Sequence, residues 1–287
     1  MACHLRPGRS ADALICGRIC YEAFHAISTR HGFPPDFDNP EAATGLISML
    51  LGQPEFYSVV AEAESGGRIV GSNFLDERSS VVGVGPVTVA PEAQDSGVGR
   101  ALMRDVMERA GRIGAPGIRL VQAAYHARSL SLYAKLGFQV RDLLACVNGP
   151  GPGGELPGYR IRPALPSDVA ACDGVCRYVH GHDRSGEVIE AVARGSAAVV
   201  EHQGRVTGYA TSLGLFGHAV GETNEDIQAL LLSAERFDGP GVLLPTSNAE
   251  LFSWCLSHGF RVVALSTLMT VGFYQSPKGA SVPSVFF

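Results

Sequence analysis

One pattern recurs along this 287-residue chain, and it limits the folds open to it. Leu5-Arg6-Pro7, followed by Asp12, Cys16 and Cys20, returns as Ile161-Arg162-Pro163, followed by Asp168, Cys172 and Cys176, every member displaced by 156 positions. Tyr57-Ser-Val-Val-Ala with Arg68-Ile-Val-Gly71 returns as Ala198-Val-Val-Glu with Arg205-Val-Thr-Gly208. Gly137-Phe138-Gln-Val140 returns as Gly259-Phe260-Arg-Val262. The order is kept while the offset shrinks, as duplication followed by deletion would leave it. Between the copies lies Asn148-Gly-Pro-Gly-Pro-Gly-Gly154, too rich in proline and glycine for the interior of any element. The reading is two copies of one α/β unit, residues 1–147 and 156–287, joined by a linker over 148–155. A chain of this length is typical for two domains.

In the first copy Leu5 begins a strand, and Asp12 is expected to cap a helix from Ala13 to about Thr29. Pro40 opens a second helix through Leu51. Phe56–Ala61 and Arg68–Leu75 alternate as strands around Ser65-Gly66-Gly67, a hairpin signal. Val81–Ala90 is expected to be a central strand, Ile118–Ala123 a further strand, Ala127–Leu136 a helix closed by Gly137, and Phe138–Val147 a last strand. The fold class is therefore α/β (α+β), a mixed sheet flanked by helices, in two tandem domains.

The stretch most suited to chemistry follows the central strand. Pro91 stops the strand, and Gln94-x-x-Gly97-x-Gly99 runs into a helix marked by Val98, Leu102 and Val106. Glycine allows close backbone approach. The first amides of a helix have no partner within it, and the dipole favours negative charge there. The product is a cradle for phosphate oxygens, with Arg100 at its edge. The loop lacks the Gly-Lys-Ser/Thr ending of a P-loop, and no Gly-x-Gly-x-x-Gly is present.

This loop resembles the acyl-CoA pyrophosphate loop of the GNAT superfamily of N-acyltransferases, whose pattern is Gln/Arg-x-x-Gly-x-Gly/Ala. Ser129-Leu-Ser-Leu132-Tyr133-Ala-Lys-Leu136-Gly137-Phe138 resembles the superfamily's second signature, a helix carrying Leu-Tyr and ending in Gly-Phe. The resemblance implies acetyl-CoA as co-substrate and no metal, with an acetyl group passing to a primary amine by direct attack in a ternary complex. It implies that the pantetheine arm lies along Val87, Thr88 and Val89. The pyrophosphate would lie on the amides of Gln94, Asp95, Ser96, Gly97, Val98, Gly99 and Arg100, with His126 and Ser129 near the cofactor. Tyr133 corresponds to the family's general acid on the leaving thiolate; an aromatic packed into the core is the other reading. His126, where many members carry Asn, either contacts the pantetheine or caps the helix. Glu77, with Asp76, is a candidate base or a solvated turn.

The second copy has Gly217-His-Ala-Val-Gly221-Glu-Thr-Asn-Glu-Asp226 where the loop should stand. Its acids suit a helix start and repel a pyrophosphate. Cys255 stands in place of Tyr133. This copy is read as the fold without the cofactor site. His182 and Arg184, in Tyr178-Val-His180-Gly-His182-Asp183-Arg184, and His25 in the first copy are weak candidates for the acceptor site. The superfamily's further terminal strand is missing before the linker, and Val282–Phe287 is a candidate to supply it.

A net charge of −5 leaves no basic footprint for nucleic acid. No apolar run is long enough to span a membrane, and the N-terminus lacks a signal-peptide core, so a cytoplasmic protein is expected. The seven cysteines are scattered without Cys-x-x-Cys, and the two pairs four apart read as core residues rather than zinc ligands. The partner is an amine, small molecule or peptide. A non-catalytic CoA-binding sensor is the alternative, against which Tyr133 weighs. The amine's identity and the oligomeric state stay open.

Overall fold

The computed structural model describes residues 3–64 and 66–286, so Ser65 of the hairpin signal and Phe287 of the tail lie outside the described residues. The fold is mixed α/β, and the chain divides into two compact units. One holds the residues up to Glu77, with Val82–Ile118 and Tyr125–Gly137; the other holds Arg78–Val81, Arg119–Ala124 and the chain from Phe138 on. The expected boundary near 147 separates two sequence copies, whereas this division falls at Phe138, because the strand that ends the first copy packs with strands of the second.

In the first unit, β1 (Cys3–Pro7), α1 (Ala13–His31), α2 (Pro40–Gly52), β2 (Phe56–Ala63) and β3 (Ile69–Asp76) precede β4 (Val82–Val84) and β5 (Thr88–Val89). The expected central strand over 81–90 is thus two short pieces. Pro86 has no N–H for a ladder and Gly85 adopts φ 139°, so pairing stops between the pieces. Strands β1, β2, β3 and β4 lie side by side, and β5 pairs with β3 through Gly71↔Val89 and Ser72↔Thr88. Gly71 is required there: a Cβ would come within 2.6 Å of the Thr88 carbonyl oxygen.

Helix α3 (Val98–Arg112) packs on β2 and β3. The four-residue spacing of Val98, Leu102 and Val106, with Met103 beside them, places all four in the core, while Arg100 and Arg104 face solvent. Each such aliphatic side chain contributes about 1.5–3 kcal/mol by leaving water. β6 (Gly117–Ala123) and α4 (Ala127–Lys135) follow.

In the second unit, β7 (Gln139–Asn148) precedes β8 (Tyr159–Pro163), α5 (Val169–His180), α6 (Ser185–Arg194), β9 (Ala198–His202), β10 (Arg205–Ala210) and β11 (Ala219–Gly221). Then come α7 (Asn224–Ser233), β12 (Val242–Pro245), α8 (Ala249–Ser257), β13 (Arg261–Gly272) and β14 (Ala280–Val282). One group of strands runs β6–β13–β7–β12, and a five-stranded sheet runs β14–β11–β10–β9–β8. Strand β7 is antiparallel to β13 on one edge, with Leu265 opposite Ala145, and to β12 on the other, with Val242 opposite Val147. The C-terminal segment, the candidate for the first copy's missing strand, does not supply it. Its strand β14 pairs with β11 in the second copy's own sheet, and the strand beside β6 is β13.

The repeat is realised as one ion-pair motif built twice. Arg6 Nε donates to Glu62 at 2.6 Å, and its Nη atoms donate to Asp12 at 2.7 and 2.9 Å. Arg162 does the same to Glu201 at 2.7 Å and to Asp168 at 2.6 and 2.9 Å. Asp12 accordingly does not cap α1. Its carboxylate is drawn to Arg6 and to the Arg9 N–H at 2.8 Å, and a 3₁₀ turn over Ser10–Asp12 leads into the helix instead. Cys16, Cys20, Cys172 and Cys176 are fully buried on the inner faces of α1 and α5.

Candidate functional site

The start of α3 carries the most distinctive chemistry in the first unit. Its N-cap is Gly97 at φ 94°, a left-handed conformation that favours glycine, and no side chain caps the helix. The first amide to reach an intrahelical acceptor is that of Ala101, on the Gly97 carbonyl at 3.0 Å, so the N–H groups of Val98, Gly99 and Arg100 point out of the helix end. A Cβ at Gly99 would meet only Leu132 and Val89, each at 3.6 Å, an ordinary contact. The preceding loop is held by its own side chains. Gln94 Nε2 donates to the Val89 carbonyl at 3.1 Å, Ser96 Oγ donates to the Ala93 carbonyl at 2.6 Å, and Asp95 takes φ 60°.

Arg128, in the first turn of α4, clamps this loop. It donates to Asp95 at 3.0 Å and to the Gln94 side-chain oxygen. The sequence reading missed it. Its one signal is a cation in a helix's first turn, where acids are favoured.

Strand β5 supplies a second feature. Thr88 is buried, its Oγ1 3.1 Å from Ser72 Oγ, while Val87 and Val89 are half-buried. β3 is the one strand paired with β5 among the described residues, leaving an edge to which an extended ligand can add.

On α4, Tyr133 is 8% exposed, and burial pushes its phenol up to about 12, which keeps it in the neutral donor form. His126 begins the same helix. Its carbonyl accepts from the Leu130 N–H at 3.1 Å and from Ser129 Oγ at 2.9 Å, while its side chain does not cap. The ring is pushed down to about 4 by burial and then by Arg128 and His31, and Nε2 is buried without a hydrogen-bond partner among the described residues. Beside it, Tyr125 stacks on Phe33 with centroids 4.2 Å apart and lies 5.4 Å from His31, an aromatic group that the sequence reading did not single out.

The other candidates have partners of their own. Glu77 is held by Arg109 through two hydrogen bonds of 2.7 and 2.8 Å, an ion pair that ties it to the last turn of α3. His25 is exposed on α1, stacked on Tyr21 at 5.4 Å. His182 and Arg184 belong to the second unit. Arg184 is buried and grips Glu187 at 2.7 and 2.6 Å. His182 Nδ1 lies 2.9 Å from the Asp183 carbonyl, and burial pushes this imidazole down to about 3.

The second copy's counterpart of α3 is closed. Thr223 and Asp226 form a capping box at the start of α7, with the Asp226 carboxylate accepting from the Thr223 N–H at 2.9 Å and also from the Thr207 hydroxyl. Asp226 is 1% exposed, so a carboxylate occupies the place an anion would take. Cys255, in the position of Tyr133, is buried on α8.

A glycine-capped helix start after a broken strand, followed by the Leu-Tyr helix, coincides with a match to the family model described as Acetyltransferase (GNAT) family, over residues 21–138. That segment belongs to the GNAT family. The D-amino-acid N-acetyltransferase HPA3 of Saccharomyces cerevisiae is 28% identical over 125 residues, which are 41% of this chain and 78% of that protein. In fold, the chain is similar to a GCN5-related N-acetyltransferase from Sphaerobacter thermophilus, with a TM-score of 0.62, 17% identity and 96% of each chain covered. It is also similar to a tandem GNAT protein from the clavulanic acid biosynthesis pathway, with a TM-score of 0.56, 14% identity, 94% of this chain and 98% of that one covered. The likeness in fold therefore extends over both copies. Among the described residues, no helix is long and apolar enough to cross a membrane, and no group of His, Cys, Asp and Glu is arranged to hold a metal ion.

Proposed function

We propose that this chain is an acetyl-CoA-dependent N-acetyltransferase acting on a primary amine, with its chemistry in the copy over 1–147 and with 156–287 as a copy that carries no cofactor. The observation that carries the reading is the contrast between two equivalent helix starts. That of α3 is capped by glycine and directs the Val98, Gly99 and Arg100 amides outward, while that of α7 is closed by Asp226. An anionic group fits the first and is excluded from the second.

Acetyl-CoA supplies a thioester carbonyl open to attack by an amine. The chain's own residues bind and orient it. The α3 amides would hold the pyrophosphate, with Arg128 and Arg100 adding charge at the rim. The open edge of β5 would hold the pantetheine arm by backbone pairing at Val87 and Val89, and its N–H groups would polarise the carbonyl. Tyr133, kept neutral by burial, would give a proton to the departing sulfur. Glu77 has no part in this scheme, since Arg109 holds both its oxygens. The substrate class of the yeast relative makes amino acids the first acceptors to try.

The test pairs binding with turnover. Gly99→Glu places a carboxylate in the first turn of α3, where the dipole tolerates it, so the variant folds while a phosphate is repelled. Calorimetry should find acetyl-CoA binding in the wild type and at least about tenfold weaker binding in the variant. A panel of D- and L-amino acids and simple amines with acetyl-CoA should release thiol for at least one acceptor. Equal affinity in both proteins would remove the cofactor site, and binding without turnover on any amine would favour a CoA sensor.

A further inference from the structure

One group of side chains in the first unit takes no part in the acyltransfer scheme. It gathers around the loop between α1 and α2 and the residues that lead into α4. The loop is tied back on the helix it has just left. The Phe33 N–H donates to the Ser28 carbonyl at 2.9 Å, and Phe37 meets Phe24 of α1 edge-on with centroids 5.7 Å apart. Phe33 also lies nearly parallel to Tyr125, its ring plane inclined by 11°. Phe33 and Tyr125 are each half-buried, so each keeps apolar surface within reach of a ligand.

Asp36 sits between these anchors. Burial raises the Cys20 thiol and takes the Tyr125 phenol up to about 12, and in each case the Asp36 carboxylate adds to the effect. Its charge is therefore felt both on α1 and just before α4. Asp36 is exposed to solvent, yet enough protein surrounds its carboxyl that desolvation lifts it to about 6. At neutral pH it is ionised in surroundings that solvate it poorly, and a cation brought to it would offset that cost. Among the described residues no cationic side chain pairs with it, and the hydrogen bond it accepts comes from its own backbone N–H. Other acids of this unit are engaged: Asp12, Glu62, Glu77, Glu92 and Asp95 each accept from an arginine, and Asp105 from Tyr57.

An ionised carboxylate beside aromatic surface is the chemistry that receives an organic ammonium: the carboxylate takes the charge, and the rings attract the cation and its apolar body. The neighbouring His126 adds a buried Nε2 that a ligand can satisfy, and its neutral ring does not repel a cation. The position suits the reaction as well. α1 packs on β5, and Tyr125 and His126 lead directly into α4, which carries Tyr133. The elements that flank Asp36 are thus the ones that flank the proposed thioester.

On the acyltransferase reading, we propose that the acceptor is an arylalkylamine, its ammonium paired with Asp36 and its ring against Phe33 and Tyr125. An α-carboxylate on the same carbon as the ammonium would be brought beside Asp36 and repelled, so an α-amino acid is the poorer acceptor.

The probes share one ring: 2-phenylethylamine, its neutral counterpart 2-phenylethanol, and D- and L-phenylalanine. Each is titrated into the full chain, with and without CoA, and followed by ligand-observed NMR. 2-Phenylethylamine should bind about 10- to 100-fold more tightly than the alcohol or either amino acid. Asp36→Asn should abolish the preference for amine over alcohol, and Phe33→Ala should weaken the amine by about 2- to 10-fold. If a variant does not fold, the wild-type comparison of amine with alcohol decides by itself. Equal binding of the two, an undiminished preference in Asp36→Asn, or no amine binding up to ~10 mM in either condition would overturn the proposal. Phenylalanine binding as tightly as the amine would overturn the substrate class. Acetyl-CoA titrated separately keeps the two readings apart. Its binding without the amine preference removes this proposal alone, and the amine preference without acetyl-CoA binding removes the acyltransferase reading while leaving the ammonium site.

Discussion

Tyr133 is the residue on which the acyltransfer scheme turns, because it is a proton donor kept neutral by its surroundings. Tyr133→Phe keeps the ring and removes the proton. The expected result is unchanged acetyl-CoA affinity with kcat lowered by about 10²–10⁴-fold; full turnover would transfer the acid role elsewhere. Burial raises the phenol's pKa to about 12, so the donor form persists through the alkaline range. No loss of kcat traceable to Tyr133 should appear in a pH profile between about 7 and 10. A second residue-scale prediction concerns Asp12. Its hydrogen bonds from Arg6 hold its carboxyl below the usual range, so the stabilisation is complete above the ordinary carboxylate pKa near ~3.9 and is lost as pH falls through the lower, folded-state value. Asp12→Asn should cost about 1.5–3 kcal/mol at pH 7 in denaturant melts, and the gap to wild type should narrow below pH ~4. Asp168, held by Arg162 in the same way, should behave alike. At this scale the sequence was legible where backbone chemistry decides: Gly97 is recognisable because its φ of 94° suits few other residues. It was opaque where a partner distant in the chain decides. Nothing near Glu77 points to Arg109, and nothing near Gln94 points to Arg128, yet those two arginines separate an occupied carboxylate from a clamped loop.

Helices and strands declare themselves by period, and most of those expected here formed within two or three residues of their anticipated ends. The central strand did not, because one proline and its preceding glycine divide it. That division bears on function, since it leaves β5 paired with β3 and free along its other edge. The difference between the starts of α3 and α7 was legible from composition alone, glycines against acids, and it gives a prediction about elements. One chain should bind one acetyl-CoA, with calorimetric stoichiometry near one. Asp226→Ala should destabilise the protein by about 0.5–2 kcal/mol through loss of the α7 cap and leave that stoichiometry unchanged. A stoichiometry of two in the wild type would mean that α7 takes a phosphate despite its carboxylate.

For the whole molecule, the repeat announces two copies, but sequence order conceals which strands pair. The last strands of the two copies, β7 and β13, pair with each other along most of their length, and β12 of the second copy covers the far edge of β7. Both strands are apolar and of similar length, so hydrophobic pattern alone does not distinguish this arrangement from two self-contained sheets. The consequence is that residues 1–150, though they hold every residue assigned to the cofactor, lack both partners of β7 and the strand beside β6. Leu144, Ala145, Cys146 and Val147, fully or almost fully buried in the whole chain, would lie on a strand with two open edges, a template for aggregation. Expressed alone, 1–150 should be recovered mainly in the insoluble fraction. Co-expression with 151–287 should restore soluble, co-purifying halves, because β12 and β13 return with the second piece. A soluble, monomeric 1–150 with full acetyl-CoA binding would show that β7 is stable without those partners, and that the exchange of strands between copies is not what holds the molecule together.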